Sequence, residues 1–111
     1  MQAASFTRES VMYRFIRKVT VKMVAGVPGA LQFCGEVTSH INKTYGMNMK
    51  TGIEMFGQNR VYWFYDVESL EQMAQLNAKL MLDRPYWELL DKAKNLWVEG
   101  SAKDSIVKII A

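Results

Sequence analysis

Between residues 11 and 23 the chain alternates. Tyr13, Phe15, Val19, Val21 and Met23 share one parity, and Arg14, Ile16, Lys18, Thr20 and Lys22 take the other. A period of two, in a segment rich in β-branched and aromatic residues, predicts a strand with one apolar and one largely polar face. Gly26-Val27-Pro28-Gly29 breaks it, and Pro28 suits the first turn of a helix. The spacing then changes to three and four. Leu31, Cys34, Val37, Thr38, Ile41 and Tyr45 predict a helix over residues 28–44 with a single buried stripe, stopped by Gly46. Period two returns over residues 47–56, where Met47, Met49, Thr51, Ile53 and Met55 oppose Asn48, Lys50, Gly52, Glu54 and Phe56. Gly57-Gln58-Asn59 reads as a hairpin turn into a third strand, residues 60–67 (RVYWFYDV).

Ser69-Leu70-Glu71-Gln72 has the form of a capping box, with serine at the N-cap and glutamine three residues on. The helix it opens runs to about Leu82, with Leu70, Met73, Ala74, Asn77, Leu80 and Met81 on one stripe. Asp83-Arg84-Pro85 interrupts it. A second helical piece, residues 86–95, turns Tyr86, Leu89, Leu90, Ala93 and the following Trp97 inward. A loop at Gly100 leads to a last strand over residues 104–110. The order β-α-β-β-α-(α)-β is the ferredoxin-like split βαβ arrangement, an α+β fold whose four-stranded antiparallel sheet carries its helices on one face. The four consecutive aromatics Tyr62 to Tyr65 put rings on both faces of the third strand. Helices cover one face, and a partner sheet is the simplest cover for the other.

Composition narrows this further. The 111 residues fit one domain, assigned to residues 11–111 behind a flexible leader at 1–10. The formal charge is +3, unevenly spread: residues 1–60 carry eight Lys or Arg against three acids, and residues 61–111 carry six against eight. With no block of like charge, a nucleic-acid partner is not expected. Cys34 is the single cysteine, which excludes an internal disulfide and suits a reducing cytoplasmic setting. No signal-peptide core and no run long enough to span a membrane is visible, so no membrane partner is expected.

The stretch VYWFYDVESLEQMAQLNAKLMLDRPYWELLDKA resembles the dimeric α/β barrel superfamily, in particular NIPSNAP-like and antibiotic-biosynthesis-monooxygenase-like domains. The features that carry the resemblance are an aromatic third strand, Asp66 leaving it, the Ser69-Leu70 helix start, and the Asp83-x-Pro85-x-Trp87 break. They cover about a third of the chain, and the element order extends the likeness loosely to residues 11–110. The resemblance implies a homodimer with two sheets packed face to face. Members include cofactor-independent monooxygenases, haem-degrading enzymes, polyketide cyclases and proteins of no assigned role, and fold alone does not choose among them. The haem degraders rely on a histidine in the second helical region and an asparagine on the first strand. This chain has neither, so haem degradation is not expected.

Candidate chemistry is sparse. His40, the single histidine, lies one residue off the stripe of the first helix and is either a neutral-pH base or an ordinary boundary residue. Arg14, Tyr13 and Asn77 are the other candidate catalytic groups. Asn77 stands out because it interrupts an apolar stripe, so its amide bonds either backbone or ligand. Trp63, Tyr65 and Trp87 are the candidate substrate-pocket residues, with core or dimer seam as the alternative for each. Cys34 belongs to the core. No phosphate loop, metal cluster or nucleophile–base set is present, so neither a metal nor a cofactor is expected. The expectation is therefore a small homodimeric barrel protein that binds an apolar or aromatic small molecule, as a cofactor-independent monooxygenase or cyclase-type enzyme. The alternative is a non-catalytic structural or interaction module.

Overall fold

A computed structural model describes residues 11–54 and 56–110, so the expected leader at 1–10 lies outside the described residues. In chain order the elements are β1 (Met12–Thr20), a 3₁₀ turn (Val24–Gly26), α1 (Val27–Tyr45), β2 (Lys50–Ile53), β3 (Arg60–Val67), α2 (Leu70–Met81), α3 (Arg84–Lys92) and β4 (Lys103–Ile109). The strands form one sheet in the order β2-β3-β1-β4, with every neighbouring pair antiparallel. This is the ferredoxin-like arrangement that the element order predicts.

Register fixes which residues meet. Phe15 lies opposite Tyr65 on β3 and Ile106 on β4, and Arg17 lies between Trp63 and Asp104. Directly opposed residues share a face. Val19, Val61, Trp63, Tyr65 and Val67 therefore point together toward the helices, where they are buried. Arg14, Ile16, Tyr62, Phe64, Asp66 and Val107 point the other way. On that outer face Arg14 makes a bidentate pair with Asp66 (2.7 and 3.0 Å) and lies 5.2 Å over the Phe64 ring. The second apolar side of β3 is thus partly roofed by a guanidinium within the same chain.

Helix α1 buries Ala30, Phe33, Cys34, Val37 and Ile41. This corrects the expected stripe at one point: Leu31 is 46 % exposed, and Phe33 takes the inward position. Two aromatic partners select that rotation, because Phe33 packs edge-on against both Trp63 (5.9 Å) and Trp97 (5.6 Å). Gly46 ends the helix at φ 65°, a left-handed conformation that glycine adopts without penalty.

Strand β2 is shorter than its alternation suggests. Met49 is held by a side chain instead of a ladder: Asn42 accepts from the Met49 amide (2.7 Å) and donates to the Met49 carbonyl (3.0 Å). The capping box at α2 forms with a shift. Ser69 accepts from the Gln72 amide (3.2 Å), while the Gln72 side chain reaches past the N-cap to the Glu68 amide (2.7 Å). After α3 the chain runs back antiparallel to the end of β1, with Val98 N donating to Thr20 O (2.9 Å) and Lys22 N to Leu96 O (2.8 Å). That return places Trp97 over the sheet.

Candidate functional site

Helices α1 and α2 sit over the β2–β3 side of the sheet, and between them, α3 and the strands lies a cavity of about 1110 Å³. Its floor is the helix-facing side of the sheet: Phe15, Arg17 and Val19 from β1, Trp63 and Tyr65 from β3, and Asp104 and Ile106 from β4. Its roof includes Leu70, Met73, Ala74, Asn77 and Leu80, which are nearly the whole of the stripe read from the α2 sequence. That stripe therefore faces an open space, and Leu70, Ala74 and Asn77 stay exposed in spite of their inward position.

Trp63 stands at the centre of the floor. With Phe33 and Trp97 it forms a triangle of edge-to-face rings, centroids 5.6 to 5.9 Å apart, the geometry in which ring edges meet ring faces favourably. Its indole N–H is buried with no hydrogen-bond partner. A buried donor left unmade costs free energy. Tyr65 stacks on Phe15 at 5.2 Å. Burial pushes the Tyr65 phenol up to about 12, so it stays protonated through the neutral range and can act as a donor.

Arg17 and Asp104 form a second polar feature, a bidentate pair at 2.7 and 2.9 Å across β1 and β4. Both line the cavity. The Asp104 hydrogen bond raises the guanidinium above its ordinary value, and Tyr86 adds to that rise. The same hydrogen bond, from Arg17, lowers the Asp104 carboxyl.

The structure sorts the candidate residues. Trp63, Tyr65 and Asn77 come together on the cavity wall. Arg14 lies on the opposite face of the sheet, bound to Asp66. Tyr13 shares the helix-facing side but packs against the core beside Val67 rather than lining the cavity. Trp87 is 45 % exposed on the outside of α3, where its indole N–H donates to the Met81 carbonyl (3.2 Å). His40 also lies outside the cavity, on a carboxylate. Its Nε2 is 2.7 Å from Asp83 Oδ2, and the Tyr45 hydroxyl donates to the same oxygen at 2.5 Å. Asp83 is buried and caps α3 by accepting from the Tyr86 amide (2.9 Å). The His40–Asp83–Tyr45 cluster therefore ties the C-terminal turns of α1 to the break between α2 and α3. Cys34 is buried in the core, and burial pushes its thiol up to about 11.

Arg17 and Asp104 are cavity residues that were not among the sequence candidates, although parity alone puts Arg17 on the apolar face between Phe15 and Val19. Among the described residues no group of three His, Cys, Asp or Glu side chains could hold a metal ion. Among the same residues no helix is long and apolar enough to cross a membrane.

A four-stranded antiparallel sheet roofed by three helices over a mostly apolar cavity defines a ferredoxin-like α+β domain. The chain is similar in structure to a NIPSNAP-family protein of unknown function from Agrobacterium tumefaciens (24 % identity, 88 % of this chain and 87 % of that one, TM-score 0.74). It is similar also to SnoaB, a cofactor-independent oxygenase from Streptomyces nogalater (8 % identity, 90 % and 94 % covered, TM-score 0.67). A third similar structure is a putative antibiotic biosynthesis monooxygenase from Nitrosomonas europaea (13 % identity, 88 % of each chain, TM-score 0.64). At these identities the likeness is one of fold. No family profile matches the chain, and no curated protein matches its sequence.

Proposed function

We propose that the chain is a homodimeric barrel protein whose cavity binds an apolar or aromatic small molecule bearing an oxygen acceptor. The observation that carries this reading is a cavity large enough for several fused rings, floored by aromatic side chains and with the Tyr65 phenol on its wall. Ligand sites are typically apolar with a few placed polar groups, and here Tyr65 supplies a donor among rings and methionines. Of the chemistries found on similar structures, cofactor-independent oxygenation suits such a cavity, because it acts on an apolar substrate and needs a developing oxyanion met by fixed donors.

Prodan, a naphthalene dye with a ketone oxygen, tests the cavity directly. Its emission should shift to the blue on binding. Tyr65→Phe keeps the ring and deletes the phenol donor, and should weaken prodan several-fold while the fold is retained. Absence of uptake by the unaltered protein would remove the cavity reading.

The second element of the proposal is the dimer. The outer sheet face carries Ile16, Phe64 and Val107 between ion pairs, and a second copy packed there would cover them. Native mass spectrometry should find twice the chain mass, and a monomer at micromolar concentration would overturn this part.

A reading as a binding module without turnover is favoured by one observation: the single histidine is held on Asp83, outside the cavity. Prodan binding that is never accompanied by turnover of any apolar phenol or ketone would support it.

A further inference from the structure

We propose that the β1–β4 end of the cavity is an acid-binding pole, built on Arg17 with Tyr65 and Tyr86 beside it, so that the ligand is an apolar organic acid whose anionic oxygens meet Arg17 while its rings extend toward Trp63. This rests on the cavity reading above and names the ligand class that it leaves open.

The first ground is position. Arg17 occupies the helix-facing side of β1, between Trp63 and Asp104 in the neighbouring strands and flanked along its own strand by Phe15 and Val19. Packing alone asks for an apolar side chain there, as at every neighbouring inward position of β1 and β3. The other arginines of the sheet, Arg14 and Arg60, lie on the outer face and pair with Asp66 and Glu54. Arg17 is the guanidinium turned into the cavity.

The second ground is geometry. Asp104 takes Nε and Nη2 of Arg17, two of the five N–H donors of a guanidinium. The group lies 5.6 Å over the Phe15 ring, and Asp104 leaves it three further N–H donors. A planar guanidinium with donors left over is suited to a carboxylate.

The third ground is the balance of donors and charge. The Tyr65 phenol and Arg17 are donors, and the one carboxylate beside them, Asp104, is already engaged. The charged lining is Arg17, Lys22 and Lys94 against Glu99 and Asp104, a net positive wall. A donor-rich, positive wall favours a ligand rich in acceptors and negative in charge. A purely structural ion pair at this position, half-exposed on both sides, would contribute about 1 kcal/mol or less and would leave ligand charge without effect.

The test is a pair of fluorescent probes that differ in one group: anilinonaphthalene sulfonate, and phenylnaphthylamine, its uncharged parent. Each is titrated into the full chain. Arg17→Met should weaken the sulfonate about tenfold, the loss of a charge-assisted hydrogen bond, and leave phenylnaphthylamine within about twofold. Asp104→Asn should act in the opposite direction and tighten the sulfonate, because it removes a competing carboxylate while phenylnaphthylamine is unaffected. Lys43→Met, the same loss of charge on an exposed position of α1 outside the cavity, should change neither probe. An Arg17→Met effect equal on both probes, or absent from both, overturns the acid pole. If Arg17→Met fails to fold, Asp104→Asn decides: no change in the sulfonate then overturns the proposal. Failure of phenylnaphthylamine to bind the unaltered protein would instead remove the cavity reading itself.

Discussion

Trp63→Ala is expected to destabilise the fold by about 3–5 kcal/mol, the range for truncating a large buried aromatic, measured as a fall in the urea midpoint at constant slope. Trp63 is 7 % exposed and makes two of the three sides of the Phe33–Trp63–Trp97 triangle. Each edge-to-face contact contributes roughly 0.5–1.5 kcal/mol beyond simple burial, and the neighbouring strands cannot close the gap because their register is fixed. Trp63→Phe should differ sharply. It loses part of the ring but also removes a buried donor that has no partner in the chain, and these changes oppose one another. Its stability should therefore lie within about 1.5 kcal/mol of the unaltered protein. The contrast between the two variants separates the packing role of the ring from the cost of its buried N–H. A loss below about 2 kcal/mol for Trp63→Ala would mean that the roof relaxes into the cavity.

The next largest effect is expected at Asp83. Asp83→Ala should cost about 3 kcal/mol, made up of a lost N-cap and of donors left unsatisfied around a buried position. One carboxylate receives the Tyr86 amide, the Tyr45 hydroxyl and His40 Nε2. Asp83→Asn keeps a cap acceptor and should cost about half as much. The pH dependence has a definite sign. Burial pushes the Asp83 carboxyl up, but the hydrogen bonds from Tyr45, Tyr86 N and His40 outweigh it and leave it below its ordinary value. A lowered folded value means that the stabilisation is fully present above the unfolded value, near about 4, and is lost as pH falls through the lowered one. Urea unfolding between about pH 6 and pH 2 should show this acid limb, flattened in Asp83→Asn. A cost near zero for Asp83→Ala would reduce the cluster to surface contacts.

Local pattern carried most of the fold because each element announces itself within a few residues. Strand β3 begins and ends where its alternation does, Pro28 and Ser69 mark helix starts, and Asp83-x-Pro85 marks the break. Pattern was weaker on rotation. Phe33 and Cys34 are adjacent, so either Leu31 or Phe33 could complete the α1 stripe, and the choice was made by Trp63 and Trp97, which lie 30 and 64 residues further on. The site divides the same way. Trp63, Tyr65 and Asn77 were accessible from the sequence because parity and the α2 stripe aim them inward. Asn77 interrupts that stripe where it borders the cavity, whereas Met73 on the same stripe is buried in the core. His40 has a partner 43 residues away that no spacing rule connects to it. Arg17 did leave a signal, a positive charge within an apolar parity class, but the meaning of that signal depends on Asp104, 87 residues away, in the neighbouring strand.

The Asn42 clasp on Met49 couples two elements in time as well as in space. The Met49 amide proton is held by a side chain that projects from the last turns of α1. It can therefore exchange with solvent only when those turns unwind or the side chain lets go. The helix end and the entry to the β2–β3 hairpin thus open as one cooperative unit. In a deuterium-exchange experiment the amide of Met49, outside any strand ladder, would be protected alongside the helix that it follows rather than with the loop in which it sits.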